Sequence, residues 1–151
     1  MADEALEIVA RIGTVLQHDD IVAALHDEAV IAETKALLDE LADPDFACTF
    51  VAPEYVGPGG RFSYRGPDGF VDGWREWLEA YDSYRVELEE LTEGEDGRLL
   101  TLGRQTGTTR TGAVEISEPA AAVWRVRDGR LLEVEFHLDP DSARRAAGLT
   151  A

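Results

Sequence analysis

The sequence is poor in the residues from which metal centres and covalent cross-links are built. It has one cysteine and three histidines among 151 residues, and the histidines lack the spacing of shared metal ligands. One thiol forms no disulfide framework. Cys48 alternates with Phe46 and Phe50, which indicates a buried strand residue rather than a nucleophile. No phosphate-binding loop, dinucleotide fingerprint or nucleophile elbow is present, so we expect no metal and no cofactor.

Basic residues and long apolar runs are also scarce. Fourteen Lys and Arg residues against 31 Asp and Glu residues give a formal net charge of −17, and such a surface repels phosphate backbones and anionic lipids. No apolar run approaches the roughly 20 residues that a membrane-spanning helix needs. The acidic start, Met1-Ala2-Asp3-Glu4, is unlike a signal peptide. We therefore expect a cytoplasmic protein with no nucleic-acid or membrane partner.

What the sequence does contain is, first, a set of helical patterns. Apolar residues recur at helical spacing over residues 8–16 and over residues 21–42. The second segment either runs unbroken or breaks near Asp27. A third helix is predicted after the turn at residues 66–69. Its aromatic side chains form one stripe, which comprises Phe70, Trp74, Trp77 and Tyr81.

Most of the remaining chain is expected to form strands. Alternating residues and flanking turns predict strands at residues 46–52, 61–65, 98–106, 113–127 and 130–138, with another beginning at Tyr84. Pro119 marks either a bulge or a stretch at a sheet edge. A short helix is predicted after Asp139-Pro140. With no repeat and no linker, residues 1–151 are expected to form one α+β domain.

The hairpin between the last two strands decides which of their faces lies inside. A plain two-residue turn would place Trp124 opposite Glu133 and mix charged with apolar side chains on both faces. A three-residue loop with Gly129 as a bulge would place Trp124 opposite Leu132 and leave one face wholly apolar. We prefer the second arrangement. It predicts that His137 lies on the outer face, in solvent or at a subunit contact.

Three consecutive alanines, residues 120–122, leave room above the sheet. Space over a curved sheet, bordered by an aromatic helix stripe, is how a ligand cavity is built. Alternatively, Trp74, Trp77 and Trp124 fill that space as an ordinary core. The sequence leaves both interpretations open.

Several motifs and the order of the elements resemble the nuclear transport factor 2-like superfamily. The motifs are Gly66-Pro67-Asp68-Gly69-Phe70 leading to Trp74-Arg75-Glu76-Trp77, then residues 119–130, then Phe136-His137-Leu138-Asp139. They look most like its SnoaL-like and ketosteroid-isomerase-like branch. The resemblance implies a cone-shaped, curved antiparallel (mixed) sheet with three to four helices packed on the concave face. It also implies a pocket there and frequently a homodimer through the convex face.

The resemblance does not extend to the catalytic set of the ketosteroid isomerases. Where that branch has a tyrosine, an aspartate base before a proline and a protonated acid, this chain has Ile12, Ala52 and Ala122. Alkyl side chains can neither take a proton nor stabilise an oxyanion. Ketosteroid isomerase activity is therefore not expected, and the Arg/Asp pairs of the branch's epoxide hydrolases have no match.

One other carboxylate is a candidate for acid–base chemistry. Glu118 points to the same inward face of its strand as Ala122 and Trp124, unless a bulge at Pro119 intervenes. A carboxylate in an apolar pocket can act as a general acid or base. On the preceding strand either Arg104 or Gln105 points inward. The predicted ligand pocket comprises Tyr55, Tyr64, Trp74, Trp77, Arg104, Ala122, Trp124 and Phe136.

Three functions remain open from the sequence. The first is an acid–base enzyme that acts on a small apolar molecule, as an isomerase, cyclase or hydrolase. The second is a non-catalytic carrier or sensor that uses the same pocket. The third is a protein-interaction module that uses the outer face of the sheet.

Overall fold

The structure is a computed structural model that describes residues 2–51, 61–110 and 114–149. Those residues form five α-helices, one short 3₁₀ helix and six strands. The helices are α1 (Ala2–Gly13), α2 (Ile21–Ala24), α3 (Glu28–Leu41), α4 (Gly66–Trp77) and α5 (Pro140–Ala146), and the 3₁₀ helix is Thr14–Leu16. The strands are β1 (Ala42–Val51), β2 (Arg61–Arg65), β3 (Tyr81–Glu93), β4 (Arg98–Thr109), β5 (Glu115–Arg127) and β6 (Arg130–His137). No helix in the described ranges is long and apolar enough to cross a membrane.

Aspartate caps explain the division of the second helical segment. The Asp20 carboxylate accepts a hydrogen bond from the Val22 amide, and the Asp27 carboxylate accepts from the amides of Ala29 and Val30. Each cap satisfies amides that have no partner within the helix. The segment therefore breaks at Asp27, which is one of the two arrangements the sequence left open.

The six strands form one mixed sheet in the order β2-β1-β6-β5-β4-β3. Every neighbouring pair is antiparallel except β1 and β6, which are parallel. This confirms the predicted α+β fold with a curved, mostly antiparallel sheet. Tyr81 begins β3, so it does not continue the helical aromatic stripe as predicted.

The hairpin between β5 and β6 differs from the prediction in its turn but not in its faces. Asp128 and Gly129 both have positive φ angles, of 53° and 74°, which is the two-residue type I′ turn. Leu132 is then an extra, unpaired residue, because Val126 pairs with Leu131 and Arg125 pairs with Glu133. This bulge shifts the register of β6 by one residue. The three-residue loop was therefore wrong. The bulge restores the apolar face, because Trp124 now pairs with Val134.

Helices cover both faces of the sheet. The main core packs on the concave face and includes side chains from α1, α3 and α4 together with Trp124 and Val134. A second, smaller cluster lies on the opposite face, where Ala143 and Ala147 of the α5 region cover Leu100, Ala121 and Val123. The predicted concave helices are thus present, and α5 is an additional cover on the convex side.

His137 lies under that additional cover. Its side chain is on the convex face, as expected, but it is only 4% exposed. Its Nδ1 lies 3.0 Å from Ser142 Oγ and its Nε2 lies 3.1 Å from Glu135 Oε1. The prediction that it faces solvent or a subunit was wrong, because α5 folds back over β6.

Pro119 lies in a stretch where β5 has lost one neighbour. The last β5–β6 pair is Ala121 with His137, so residues before Ala121 pair with β4 alone, as edge residues do. The β4–β5 register runs through Pro119 without a shift and pairs Gln105 with Glu118. Of the two predicted roles of Pro119, a bulge or a residue at a sheet edge, the structure shows the second. Because no bulge intervenes, Glu118 lies on the same, concave face of β5 as Ala122 and Trp124.

Candidate ligand-binding site

An inner cavity of about 160 Å³ lies between α1 and the concave face of β3, β4 and β5. Its walls are mainly apolar and include Val9, Trp74, Val86, Ala122, Trp124 and Phe136. Trp74 and Trp124 are each 3% exposed. All three tryptophans that were expected either to fill this space or to border it, Trp74, Trp77 and Trp124, therefore line its wall.

The alanine side chains of β5 leave this volume open. Gly103 on β4 pairs with Ala120 on β5, and Thr101 pairs with Ala122. Trp124 stays at the wall because its indole N–H donates a 2.9 Å hydrogen bond to Thr101 Oγ1, which satisfies its polar atom in the buried site. The alanines were recognised from the sequence. Gly103 was missed, although a glycine inside a strand is a signal of close backbone approach, and here the Glu87 carbonyl of β3 lies where a Cβ of residue 103 would stand.

An outer cavity of about 650 Å³ adjoins the inner one. The two cavities share Trp77, Gln105 and Leu138 in their walls. Aromatic residues line much of the outer cavity, and they include Phe50, Phe62, Tyr64, Trp77 and Tyr81. Three carboxylates, those of Glu76, Glu79 and Glu118, also line it. We call the smaller, mainly apolar cavity the inner chamber and the larger cavity, which has carboxylates in its wall, the outer chamber.

Gln105 and Tyr84 form a hydrogen-bonded pair where the two chambers meet. The Tyr84 hydroxyl donates to Gln105 Oε1, and Gln105 Nε2 donates to the Pro119 carbonyl at 3.3 Å. Gln105 is 2% exposed. Burial raises the pKa of the Tyr84 hydroxyl, and the nearby Tyr81 and the Glu118 charge raise it further. Tyr84 is therefore a neutral hydrogen-bond donor that stands within electrostatic range of Glu118.

Tyr64 and Glu76 form a second pair, in the wall of the outer chamber. The Tyr64 hydroxyl donates to the Glu76 carboxylate. Burial and this hydrogen bond raise the pKa of Tyr64 to about 12 from its ordinary value of 10. The phenol therefore stays protonated at neutral pH and holds the Glu76 carboxylate at the cavity wall.

The structure separates the predicted site residues into three groups. Six of them line one or both cavities, namely Tyr64, Trp74, Trp77, Ala122, Trp124 and Phe136, and so does Glu118. Tyr55 lies outside the described residues. Arg104 is a correction, because it pairs with Pro119 on the convex face, is exposed, and donates to Ser117 Oγ at 3.3 Å. Because neighbouring residues of a strand point to opposite faces, Gln105 and not Arg104 points to the concave face.

The chemistry available at the site is that of carboxylates and phenols. Cys48 is buried, and burial raises the pKa of its thiol, so it is a poor nucleophile. Within the described ranges, no group of three or more His, Cys, Asp or Glu side chains is placed to hold a metal ion. A proton donor or acceptor at Glu118, beside neutral phenols, is what this arrangement offers.

Solved structures share the fold of the chain at low sequence identity. A nuclear transport factor 2-like protein from Burkholderia thailandensis E264 is 24% identical, with a TM-score of 0.65 and coverage of 95% of each chain. A protein provisionally named a SnoaL-like polyketide cyclase, from Jannaschia sp. CCS1, is 15% identical, with a TM-score of 0.63 over 99% of this chain and 94% of that one. A nuclear transport factor 2-like protein of unknown function from Burkholderia pseudomallei K96243 is 18% identical, with a TM-score of 0.61 over 95% and 97%.

Sequence comparison identifies the family. No curated protein matches the chain. The family model of the SnoaL-like domain matches residues 22–134, which include the aromatic helix α4 and all of β3, β4 and β5. Because that model spans most of the sequence, the chain belongs to the SnoaL-like domain family.

Proposed function

We propose that this protein binds a small, largely apolar molecule in the two-chambered cavity and acts on it by acid–base catalysis through Glu118. The observation that carries the proposal is the position of that carboxylate. Glu118 pairs with the buried Gln105 on the concave face and lines the outer chamber. A reacting group placed there would meet a carboxylate, while the apolar part of the molecule extends towards the inner chamber.

The proposed roles follow from the geometry. The Glu118 carboxylate accepts a proton from an activated carbon or hydroxyl of the substrate and returns it to another atom of the same molecule. Gln105 and Tyr84 are positioning residues, because their hydrogen bonds fix the wall beside Glu118. The aromatic walls exclude water and bind apolar rings.

The chemistry differs from that of a ketosteroid isomerase. Ile12 is fully buried, at 0% exposure, and Ala122 is 5% exposed in the core. Neither can donate a hydrogen bond to a developing oxyanion. We therefore expect no isomerisation of Δ5-3-ketosteroids by this protein.

A non-catalytic carrier or sensor is the second candidate. It is favoured by the inner chamber, which has no carboxylate among its described wall residues. An apolar molecule held wholly in that chamber would lie away from Glu118. Measured binding without turnover would support this alternative.

Two probes separate these candidates. The first is 5-nitrobenzisoxazole, whose ring opens when a base removes its C3 proton and the N–O bond breaks to give a cyanophenolate. The second is Nile red, a neutral dye whose fluorescence rises in apolar sites. We expect Glu118→Gln to lower the rate of ring opening by about 100-fold, the scale of a positioned general base, and to leave Nile red affinity unchanged.

A control variant makes the result specific. Glu89 is an exposed carboxylate on β3 that lies outside both cavity walls, so Glu89→Gln should keep the wild-type rate. Equal rates for the wild-type protein and Glu118→Gln would contradict the catalytic role. If Nile red still binds in that case, the carrier or sensor function remains.

The homodimer and the cytoplasmic location remain predictions. The apolar part of the convex face is covered by α5, and exposed charged residues such as Arg85, Glu87 and Arg104 occupy other parts of that face. This arrangement weighs against the third candidate, an interaction module with an open apolar face. Light scattering coupled to size exclusion would give the oligomeric state.

A further inference from the structure

The indole N–H of Trp74 is buried and has no hydrogen-bond partner within the part of the chain that the structure describes. Trp74 is 3% exposed, and its ring packs against the aromatic rings of Phe50, Tyr84 and Phe136. A phenyl ring would make apolar contacts of the same kind without bringing a polar atom into the core. Because an unpaired buried donor lowers stability, this N–H indicates an acceptor that another molecule supplies.

The other two tryptophans of the same cavity wall show how such a group is usually satisfied. The Trp124 N–H donates to Thr101 Oγ1 at 2.9 Å, and the Trp77 side chain is hydrogen-bonded to Tyr84. Buried tryptophans usually find a partner of this kind. Trp74 is therefore the exception among the three tryptophans that line the inner chamber.

One further buried side-chain nitrogen without a partner in the described ranges is Nε of Arg98. That guanidinium is held through its other nitrogens, which bond to the Ala146 carbonyl and to the Asp96 carboxylate. An indole has a single polar atom. Trp74 is thus left with no side-chain hydrogen bond to any described residue, whereas Arg98 is anchored on both sides.

Two cavities touch Trp74. One is a gap of about 10 Å³ among mainly apolar side chains of the helices, which is at the lower limit for one water molecule and too small for a ligand. The other is the inner chamber of about 160 Å³. A molecule in the inner chamber is therefore what can bring an acceptor to the Trp74 N–H.

The rest of the inner chamber limits the chemistry of that acceptor. Thr101 is already bonded to Trp124, and Gln105 is bonded to Tyr84 and to the Pro119 carbonyl. No lysine or arginine is among the wall residues that the structure describes, so a carboxylate would lose its hydration there without gaining a counter-ion. An indole N–H only donates. An uncharged carbonyl oxygen meets both conditions.

We propose that Trp74 is a ligand-binding residue whose indole N–H donates a hydrogen bond to an uncharged carbonyl oxygen of the ligand in the inner chamber. This inference rests on the proposed function, because it names the group by which the cavity recognises its molecule. It assigns Trp74 to ligand binding and leaves the proton-transfer role with Glu118.

Two probes of the same shape test the inference. Acetophenone carries a carbonyl oxygen, and α-methylstyrene has a methylene group in its place. We expect Trp74→Phe to weaken acetophenone binding about tenfold relative to α-methylstyrene binding, as the loss of one buried hydrogen bond allows. Both probes lose the same apolar contacts in this variant, so the ratio of the two dissociation constants reports the hydrogen bond. The control Trp77→Phe, whose indole already has a partner, should leave the ratio unchanged.

The indole N–H signals in the nuclear magnetic resonance spectrum give a second readout that needs no variant of Trp74. The chain has three tryptophans, so Trp77→Phe and Trp124→Phe assign the Trp74 signal by elimination. Acetophenone should move the Trp74 proton signal further downfield than α-methylstyrene does, because a new hydrogen bond deshields the proton. The Trp124 signal, whose N–H is already bonded to Thr101, should respond alike to both probes.

The possible failures are distinguishable. An unchanged affinity ratio in Trp74→Phe, or equal shifts of the Trp74 signal with the two probes, would overturn the inference and leave the proposed function intact. Failure of both probes to bind would also overturn the inference. Failure of Nile red to bind as well would overturn the proposed function with it.

Discussion

Two adjacent residues on β4, Arg104 and Gln105, have opposite environments. Gln105 is 2% exposed and bonds to Tyr84 and to the Pro119 carbonyl. Arg104 is exposed on the other face. The sequence left open which of them points inward, because both have long polar side chains. Alternation along a strand assigns a face only when the face of a neighbouring residue is known. The unshifted register through Pro119 decides the question.

This contrast predicts different costs for the same substitution. Gln105→Leu removes the acceptor of the Tyr84 hydroxyl and leaves that hydroxyl buried, so it should lower the free energy of unfolding by about 1–3 kcal/mol. Arg104→Leu should change it by no more than about 0.5 kcal/mol. Urea denaturation of both variants measures the difference. Equal changes would contradict the assigned faces.

The Tyr64–Glu76 pair predicts the behaviour of one phenol at high pH. The pKa of Tyr64 is raised to about 12 from 10, so the folded state holds this proton more tightly than the unfolded state does. Its contribution to stability is therefore present below pH 10 and is lost as the pH rises through 12. Ultraviolet titration of the folded protein should show an ionisation near pH 12 that Tyr64→Phe lacks. An unchanged titration curve in that variant would refute the assignment.

Among the elements, α5 shows most clearly what the sequence leaves undetermined. Its existence was predicted from the cap Asp139 and from Pro140, and the Asp139 carboxylate does accept from the Asp141 amide. Its place on the convex face was not predicted. A seven-residue helix with two alanines has little pattern to indicate which surface it covers. For that reason the burial of His137 was missed.

The packing of α5 can be tested with two charged substitutions. Ala143 is 0% exposed against the sheet, and Ala143→Glu would place a carboxylate in an apolar contact, which should cost about 3 kcal/mol or detach the helix. Arg145→Glu changes an exposed residue of the same helix and should cost little. Urea denaturation and binding of a hydrophobic dye follow both effects. Similar stability of the two variants would show that α5 does not pack as described.

The β5–β6 hairpin shows a correct conclusion drawn from an incorrect turn. The need for one apolar face predicted that Trp124 and Ala122 lie inside, and they do. The predicted position of the extra residue was wrong. A bulge at the turn and a bulge at Leu132 bring the same side chains of β6 to the concave face, so the burial pattern does not distinguish them. Burial pattern therefore predicts parity well, and local sequence predicts the site of a bulge poorly.

At the scale of the whole molecule, the sheet and the helices on its concave face were predictable, whereas the sequence left open whether the space above the alanines is filled. The order of the elements and the α4 motif indicated the cone-shaped fold. Whether tryptophans fill the space above the alanines depends on side-chain directions that no sequence pattern sets. Trp124 is held at the wall by Thr101, and the small side chains of Ala120 and Ala122 leave room beside it.

The most direct test of this account is the affinity of Nile red for the wild-type protein and for Ala122→Phe. Ala122 lines the inner chamber, so a phenyl ring there would occupy volume that the ligand needs. We predict at least tenfold weaker binding, with a loss of stability no greater than the roughly 1–3 kcal/mol of an overpacked core. Equal affinity of the two proteins would contradict the claim that the concave face holds the ligand.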